Sequence, residues 1–281
     1  MNDVERALQI LEGSNTVLAF HAEFEENTNT SGDCNCYQTF LTSRPESMEI
    51  NAIKSVIELS RQYNVRTHIV HLSTASALPL LKEAKLSNPN LSVETCYHYL
   101  TLNSENIPLN ATQFKCCPPI RDSNNMDNLW DGLRNNIIDM VVSDHSPCTP
   151  ELKLLNEGDF LKAWGGISSL QFGLSLFWTE GLTREISILD VKNKLCQIPA
   201  KLVGLHTRKG KIAKNYDADF VIWNPNATIY INESIIQHKN KVTPYLGKLL
   251  RGKVLKTIIR GEIVYEENKS FSAPTGKLLI N

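Results

Sequence analysis

Apolar residues recur with two spacings that alternate along the first half of the chain. Apolar positions that return every three or four residues predict helices over residues 4–12, 50–63, 75–84 and 126–135. Short continuous apolar runs predict strands over residues 17–20, 67–70, 91–96 and 139–142, with 97–100 extending the third strand. Helices that alternate with fully apolar strands indicate βα units around a parallel sheet.

The pattern changes near residue 209. Helical periodicity continues over 188–205, and short β-rich runs separated by turn residues follow at 220–223, 228–231, 254–260 and 262–265. The segment Arg260-Gly261-Glu262 joins the last two runs and predicts a hairpin turn. We therefore predict an α/β domain over residues 1–208 and a small β-rich domain over residues 209–281.

Polar residues that can carry chemistry follow three of the four predicted strands. His21 follows the first strand, His71 follows the second, and Asp144-His145 follows the last. The carboxyl ends of parallel strands are where ligands bind in barrels and in open α/β sheets. We expect these side chains to meet at one edge of the sheet.

Two imidazoles and a carboxylate form a ligand set typical of zinc. Asp144 could also act as the base that activates an attacking water. A structural interpretation stays open for each residue, since a strand-end His is often held by hydrogen bonds and an Asp before Ser-Pro suits a turn. His68 lies three residues before His71 on the opposite strand face, so we assign only His71 to the site.

Two loops offer further candidates. Residues 116–121 contain two prolines, and Arg121 could recognise a carboxylate or ureido oxygen or serve the structure instead. Residues 164–166 are Trp-Gly-Gly, which predicts either a backbone segment that approaches a small ligand or a flexible bend.

Composition excludes several partners. The 29 Lys and Arg against 30 Asp and Glu leave no surplus of positive charge for nucleic acid. No run of about 18 apolar residues predicts a membrane span, and the N-terminus lacks the features of a secretory signal. The 7 cysteines lack zinc-knuckle spacing and indicate free thiols. We expect the protein in the cytoplasm or an organelle lumen such as the peroxisome, and not secreted.

Several segments, in order along the chain, resemble the cyclic amidohydrolases. They are His-Ala-Glu at 21–23, His-Leu-Ser at 71–73, Glu-Thr-Cys-Tyr-His-Tyr-Leu at 94–100, Cys-Cys-Pro-Pro-Ile-Arg at 116–121 and Asp-Ala-Asp-Phe-Val-Ile-Trp at 217–223. Within that superfamily, Val-Ser-Asp-His-Ser-Pro-Cys at 142–148, followed by Lys-Ala-Trp-Gly-Gly-Ile at 162–167, resembles the allantoinase family.

The resemblance implies a (β/α)8 barrel with two zinc ions that hydrolyses the cyclic amide of allantoin to allantoate. By this resemblance, His21 and His71 bind one metal, while Asp144 binds the other and moves a proton to the leaving nitrogen. The residues placed around this small-molecule substrate are Cys117, Arg121, His145, Trp164 and Gly165. A homo-oligomer of the full-length chain is also expected.

The chain departs from the family in its other metal ligands. Family members carry a His-x-His pair after the first barrel strand and a carboxylated Lys after the fourth, and no His-x-His occurs among the 7 histidines here. We therefore expect about the second half of a barrel followed by the C-terminal part of a β-sandwich, in a fragment of a longer enzyme. A closed barrel typically needs about 250 residues, and the predicted α/β domain ends at residue 208.

Three alternatives stay open. The chain could be another cyclic amidase, such as a hydantoinase, dihydropyrimidinase or dihydroorotase. It could be a non-catalytic relative that acts by protein association. It could also pair with a separate chain that supplies the first half of the barrel.

We predict that the 281-residue chain by itself is poorly stable and has little activity. Half a parallel barrel leaves two strand edges and an apolar interior open to water, and two His with one Asp cannot hold two metal ions. Zinc analysis and an allantoin assay of the purified chain check this. Two tightly bound zinc ions together with allantoin turnover would contradict it.

Overall fold

Parallel strands lie side by side in chain order, as the alternating pattern predicts. The computed structural model describes residues 2–26, 28, 30–271 and 273–279, and within these ranges one sheet has four strands in the order β1-β2-β3-β4. The strands are β1 (Val17–Phe20), β2 (Arg66–Ile69), β3 (Leu91–Cys96) and β4 (Met140–Val142). Each pair of neighbours is parallel, so all four strands end at the same edge of the sheet.

Helices connect the strands, as expected for βα units. They are α1 (Asn2–Leu11), α2 (Tyr37–Thr42), α3 (Glu46–Tyr63), α4 (Leu78–Ser87), α5 (Tyr97–Thr101) and α6 (Ser123–Arg134). Local sequence explains several ends: Asn64 adopts a left-handed conformation after α3, and the Asp122 side chain accepts the Asn125 N–H at the start of α6.

One prediction from the apolar pattern is wrong. Residues 97–100 do not extend the third strand but form most of α5. The ladder between β3 and β4 ends at the pair Cys96 and Val142, so beyond Cys96 no ladder partner holds the backbone extended. Tyr97 and Tyr99 are apolar enough to be buried in either state, so the pattern could not distinguish strand from helix.

Packing divides the chain into two compact units. One comprises residues 1–170 with 237–244, and the other comprises residues 171–236 with 245–281. The boundary predicted between residues 208 and 209 stays a prediction of domain organisation.

The second unit contains an antiparallel sheet and short helices. The helices are α7 (Gly173–Gly181), α8 (Ile188–Lys192) and α9 (Ile198–Leu202), and the strands are β5 (Phe220–Tyr230), β6 (Leu249–Ile259) and β7 (Glu262–Glu266). Two of the predicted runs, 220–223 and 228–231, fall largely within the single strand β5, which contains register shifts. The predicted hairpin turn is present, with positive φ angles at Arg260 and Gly261 that suit a two-residue connection.

No helix in the described part of the chain combines the length and apolar character needed to cross a membrane.

A buried ion pair ties the sheet's connecting segments together. Arg121 Nη2 donates to Glu49 Oε2 at 2.8 Å, and both side chains are buried. The other oxygen, Oε1, accepts the backbone N–H groups of Ser73 at 3.0 Å and Thr74 at 3.2 Å. Burial raises the pKa of Glu49, although the charge of Arg121 and these hydrogen bonds oppose the rise. One carboxylate on α3 therefore holds the loop after β2 and the loop before α6.

We predict that Arg121→Met lowers the free energy of unfolding by about 3–5 kcal/mol, because it leaves the Glu49 carboxylate buried without its partner. Urea denaturation measures this. The matched control is Arg134→Met, which breaks an exposed ion pair with Asp131 and should cost at most about 1 kcal/mol. Equal losses in the two variants would contradict a structural role for the buried pair.

Candidate functional site

His21 and His71 lie close together at the carboxyl edge of the sheet. His21 comes directly after β1 and His71 lies two residues after β2. His21 Nδ1 and His71 Nε2 are 2.9 Å apart, and the two rings meet edge to face. His71 has a φ of 41°, a conformation that turns its side chain out of the strand direction. Two imidazole nitrogens from separate strands therefore converge on one point.

The Glu23 carboxylate contacts the His21 ring, and the Arg44 guanidinium contacts Glu23. Glu23 Oε2 lies 3.1 Å from His21 Nε2 and accepts from Arg44 Nη1 at 2.6 Å. Burial alone would raise the pKa of Glu23, but the bonds from His21 and Arg44 lower it overall, so the group is a carboxylate. A carboxylate accepting from Nε2–H leaves the lone pair of His21 on Nδ1, the nitrogen that faces His71.

The loop that carries His71 is held on several sides. The Leu72 N–H donates to the Glu94 carbonyl at 2.8 Å, and the Ser73 hydroxyl donates to the Pro119 carbonyl at 2.6 Å. Burial and the neighbouring His21 lower the pKa of His71 to about 4. The imidazole is therefore neutral at pH 7, which is the form that binds a metal.

His68, which the sequence analysis does not assign to the site, contacts Ser92 and Glu94. Its Nδ1 is 2.8 Å from the Ser92 hydroxyl, and its Nε2 is 3.0 Å from Glu94 Oε2.

Asp144 stands at the same edge but does not converge with the two histidines. It lies two residues after β4 with a φ of 42° and is exposed to solvent. Desolvation by the surrounding strand ends and repulsion from Glu94 raise the pKa of Asp144 to about 6, against the pull of His21. Among the described residues, a three-member cluster within 4.8 Å joins Asp144 to Cys96 and His98, not to His21 and His71.

His145 is fixed by backbone groups. Its Nδ1 accepts from the N–H groups of Ser169 at 3.1 Å and Leu170 at 3.2 Å, and its backbone forms a parallel bridge with Ile167. The ring therefore anchors the segment before residue 170, and contact with a substrate stays a prediction.

The Cys117 loop and the Trp164–Gly166 segment lie against each other. A Cβ on Gly165 would stand 3.0 Å from Cys117 Sγ, and the Gly166 N–H donates to the Lys115 carbonyl at 2.9 Å. Burial raises the pKa of Cys117, so its thiol is protonated and a poor nucleophile. Trp164 remains 37% exposed. Glycine suits position 165 because a Cβ there would crowd the Cys117 sulfur, while the nearest backbone atom, Cys117 N, would stand 3.6 Å away.

Arg121 points away from this exposed edge in the buried pair with Glu49. That pairing supports the structural interpretation of Arg121, and its contact with a substrate stays a prediction.

Sequence reasoning missed two buried lysines that hold these loops. Lys153 Nζ donates to the carbonyls of Lys115 at 2.7 Å, Trp164 at 2.9 Å and Gly166 at 2.6 Å. Lys115 Nζ donates to the carbonyls of Leu161 and Ala163. Isolated lysines carry no sequence signal of burial, because this residue type is almost always exposed.

Sequence reasoning also assigned no role to Cys96 and His98, although both lie in the segment that resembles the family. His98 is completely buried, and neither ring nitrogen has a hydrogen-bond partner within the described ranges. Burial, followed by the charges of His71 and Lys153, lowers the pKa of His98 to about 3, so the ring is neutral. The placement of residues 97–100 in a strand hid this histidine from the predicted site.

A polar cavity of about 540 Å³ opens beside the supporting groups. Arg44 and Lys115 contribute positive charge to its wall, Glu25 and Glu26 contribute negative charge, and Phe40 contributes an apolar face. Its size and mixed lining suit a small polar molecule better than an apolar one.

The chain is similar to known proteins over nearly its whole length. The pattern of the amidohydrolase family matches residues 4–264. The chain is 43% identical to the allantoinase of Saccharomyces cerevisiae over 286 residues, which cover 99% of this chain and 61% of that enzyme. It is 56% identical to the mitochondrial allantoinase of Aquarana catesbeiana over 207 residues, which cover 73% of this chain and 43% of that enzyme.

A solved structure shares the fold. The L-hydantoinase (dihydropyrimidinase) of Arthrobacter aurescens superposes with a TM-score of 0.88 at 24% sequence identity. The match covers 96% of this chain and 62% of that one. The chain thus spans less than two thirds of the length of each of these three proteins.

We predict that Lys153 makes stability rise with pH in the alkaline range. Burial lowers the pKa of Lys153 from 10.5 to about 8 in the folded chain, against the opposing charges of nearby thiols. Between these two values the unfolded chain binds more protons than the folded chain, so the free energy of unfolding increases with pH. The wild type should therefore gain stability relative to Lys153→Met from about pH 8 to pH 10.5.

Urea denaturation at several pH values measures the difference between the two proteins. Lys162→Met is the control, because it removes the same charge from a side chain that is 81% exposed. A difference between the wild type and Lys153→Met that does not change with pH would show that burial does not lower the pKa of Lys153.

Proposed function

The chain belongs to the amidohydrolase family, and from this premise we propose that it carries the carboxyl-terminal part of a zinc-dependent allantoinase. The observation that carries the proposal is the convergence of His21 Nδ1 and His71 Nε2 at the ends of adjacent parallel strands. In this proposal β1 to β4 are half of a (β/α)8 barrel, and β5 to β7 are part of a β-sandwich.

The donor set at the edge of the sheet fits a zinc ion. His21 presents Nδ1, because Glu23 occupies its Nε2, and His71 presents Nε2. His71 Nδ1 is buried and has no hydrogen-bond partner in the described residues, so Nε2 is the nitrogen available at the exposed edge. Neutral imidazoles and a carboxylate are ligands that zinc prefers. We assign His21 and His71 to one metal and Asp144 to a second.

Zinc ions bound here would polarise the amide carbonyl and make water a better nucleophile at neutral pH. Hydrolysis adds the water oxygen to the carbonyl carbon and breaks the ring C–N bond. A carboxylate oxygen of Asp144 takes a proton from the attacking water and delivers it to the departing nitrogen. Glu23 and Arg44 hold the His21 ring in place, and Glu49 fixes the loop that carries His71.

The substrate side of the site consists of loops stiffened by buried lysines. Lys153 and Lys115 fasten residues 161–166 to the Cys117 loop through backbone carbonyls. We assign Cys117, Trp164, Gly165 and His145 to the substrate pocket. Arg121 supports the pocket through Glu49 in this proposal, because its Nη2 is already paired.

Allantoin is favoured over other cyclic amides by the relatives. The yeast allantoinase is 43% identical over 99% of the chain, whereas the hydantoinase structure, at 24% identity, supports the fold alone. The relatives are longer than this chain, and two His with one Asp do not complete a centre for two metals. The activity we propose therefore belongs to a protein in which further ligands complete the site.

A chimera tests the proposal. The 281 residues would replace the matched part of the yeast allantoinase, and hydrolysis of allantoin, hydantoin and dihydroorotate would be compared. We expect allantoin to be the preferred substrate. Asp144→Asn should lower kcat by at least about 100-fold, since it removes both a metal ligand and the proton carrier.

The matched control is Asp131→Asn, the same chemical change at an exposed carboxylate of α6. It should leave activity unchanged. A folded, zinc-loaded chimera that prefers hydantoin or dihydroorotate would overturn the assignment of allantoin, and full activity in Asp144→Asn would overturn the assignment of Asp144.

A further inference from the structure

Three side chains of types that bind metals come together at the same edge of the sheet as the two histidines of the proposed centre. Cys96 is the last residue of β3, His98 lies in α5, and Asp144 follows β4. One ligand atom of each lies within 4.8 Å of the others. The parallel pairing of Cys96 with Val142 brings the strand ends together, so the cluster is built by the sheet and not by a flexible loop.

His98 is the second observation that points to a ligand. Its ring is completely buried, and Nδ1 and Nε2 both lack a hydrogen-bond partner among the described residues. A buried polar group without a partner costs roughly 1–3 kcal/mol, and such a group in a native protein calls for an explanation such as an ion. An ion coordinated by one ring nitrogen would satisfy that atom.

We propose that Cys96, His98 and Asp144 bind a single borderline metal ion such as Zn²⁺. One thiolate, one imidazole and one carboxylate are the three donor types that zinc accepts, and three protein ligands leave a fourth position for water. Zinc ligands stand about 2.0–2.3 Å from the ion and so roughly 3.3–3.8 Å apart in a tetrahedron. Small side-chain rotations would therefore close the cluster around the ion.

Only one of the three proposed ligands faces solvent. Cys96 and His98 are fully buried, whereas Asp144 is exposed. An ion would reach the thiol and the imidazole past the carboxylate, which provides both negative charge and the first ligand.

The proposal goes beyond allantoin hydrolysis and does not depend on it. Asp144 also belongs to the proposed centre of two metals, but neither ligand group assigned to that centre, His21 with His71 or Asp144, includes a sulfur. Sulfur coordination therefore distinguishes one site from the other.

Cobalt(II) is the probe, because a thiolate bound to Co²⁺ produces a charge-transfer absorption in the near ultraviolet. The metal-free chain would be titrated with Co²⁺ under reducing conditions. We expect the thiolate band to saturate at one ion per chain, to disappear in Cys96→Ser and to persist in His21→Asn. His98→Gln should weaken Co²⁺ binding at least about tenfold, since even outer-shell partners are worth about 10–100-fold in metal affinity.

The matched control is Cys148→Ser, which removes a half-buried thiol that lies outside the cluster and should retain the band. X-ray absorption of zinc bound to the unmutated chain identifies the ligand atoms directly, so this test does not depend on whether a variant folds. One sulfur at about 2.3 Å is expected. Zinc with only nitrogen and oxygen neighbours, or a cobalt band that survives in folded Cys96→Ser, would overturn the site.

The cobalt test of this metal site and the chimera test of the proposed function can fail independently of each other. A thiolate band in a chain whose chimera does not hydrolyse allantoin would support this site and reject the enzyme assignment. Allantoin hydrolysis by the chimera, together with no sulfur coordination in the chain, would support the enzyme assignment and reject this metal site.

Discussion

Parallel strands that lie side by side must end at the same edge of their sheet, and this constraint places the chemistry of residues 1–170. The strands β1 to β4 deliver His21, His71, Cys96 and Asp144 to that edge, although up to about 50 residues separate neighbouring ones along the chain. Positive φ angles at His71 and Asp144 then turn the side chains away from the strand direction. Such conformations persist only where the surrounding structure holds them. For His71, the buried carboxylate of Glu49 holds the residues that follow it.

The buried charged side chains of Glu49, Lys153 and Lys115 hold the loops mainly by hydrogen bonds to backbone groups. Glu49 accepts two N–H groups from the loop after β2 and pairs with Arg121, so a single carboxylate joins two connecting segments to α3. Lys153 and Lys115 donate to five carbonyls between them and join the Cys117 loop to residues 161–166. A buried ammonium group surrounded by carbonyl oxygens is stabilised by these hydrogen bonds and not by an opposite charge. Hydrogen bonds from buried side chains therefore hold the backbones of these loops together.

Asp144 stands between two sets of possible partners. The resemblance to the family joins it to His21 and His71, while the structure brings it close to Cys96 and His98. A carboxylate has two oxygens and can serve a ligand on each side. The allantoinases of Saccharomyces cerevisiae and Aquarana catesbeiana are longer than this chain. Asp144 therefore stands both in the metal centre that the resemblance implies and in the cluster with Cys96 and His98.

The sequence alone determined the order of strands and helices, the strand-end positions of His21, His71 and Asp144, and the family, because apolar spacing and local motifs encode these directly. Only the tertiary structure decided that Arg121 pairs with Glu49, that Lys153 is buried, and that His98 faces Cys96 and Asp144. Each of these depends on residues distant in sequence, and no local pattern reports which side chains meet. The wrong strand at residues 97–100 has the same cause: backbone pairing ends at Cys96, where the ladder to β4 stops and leaves the following residues free to form a helix.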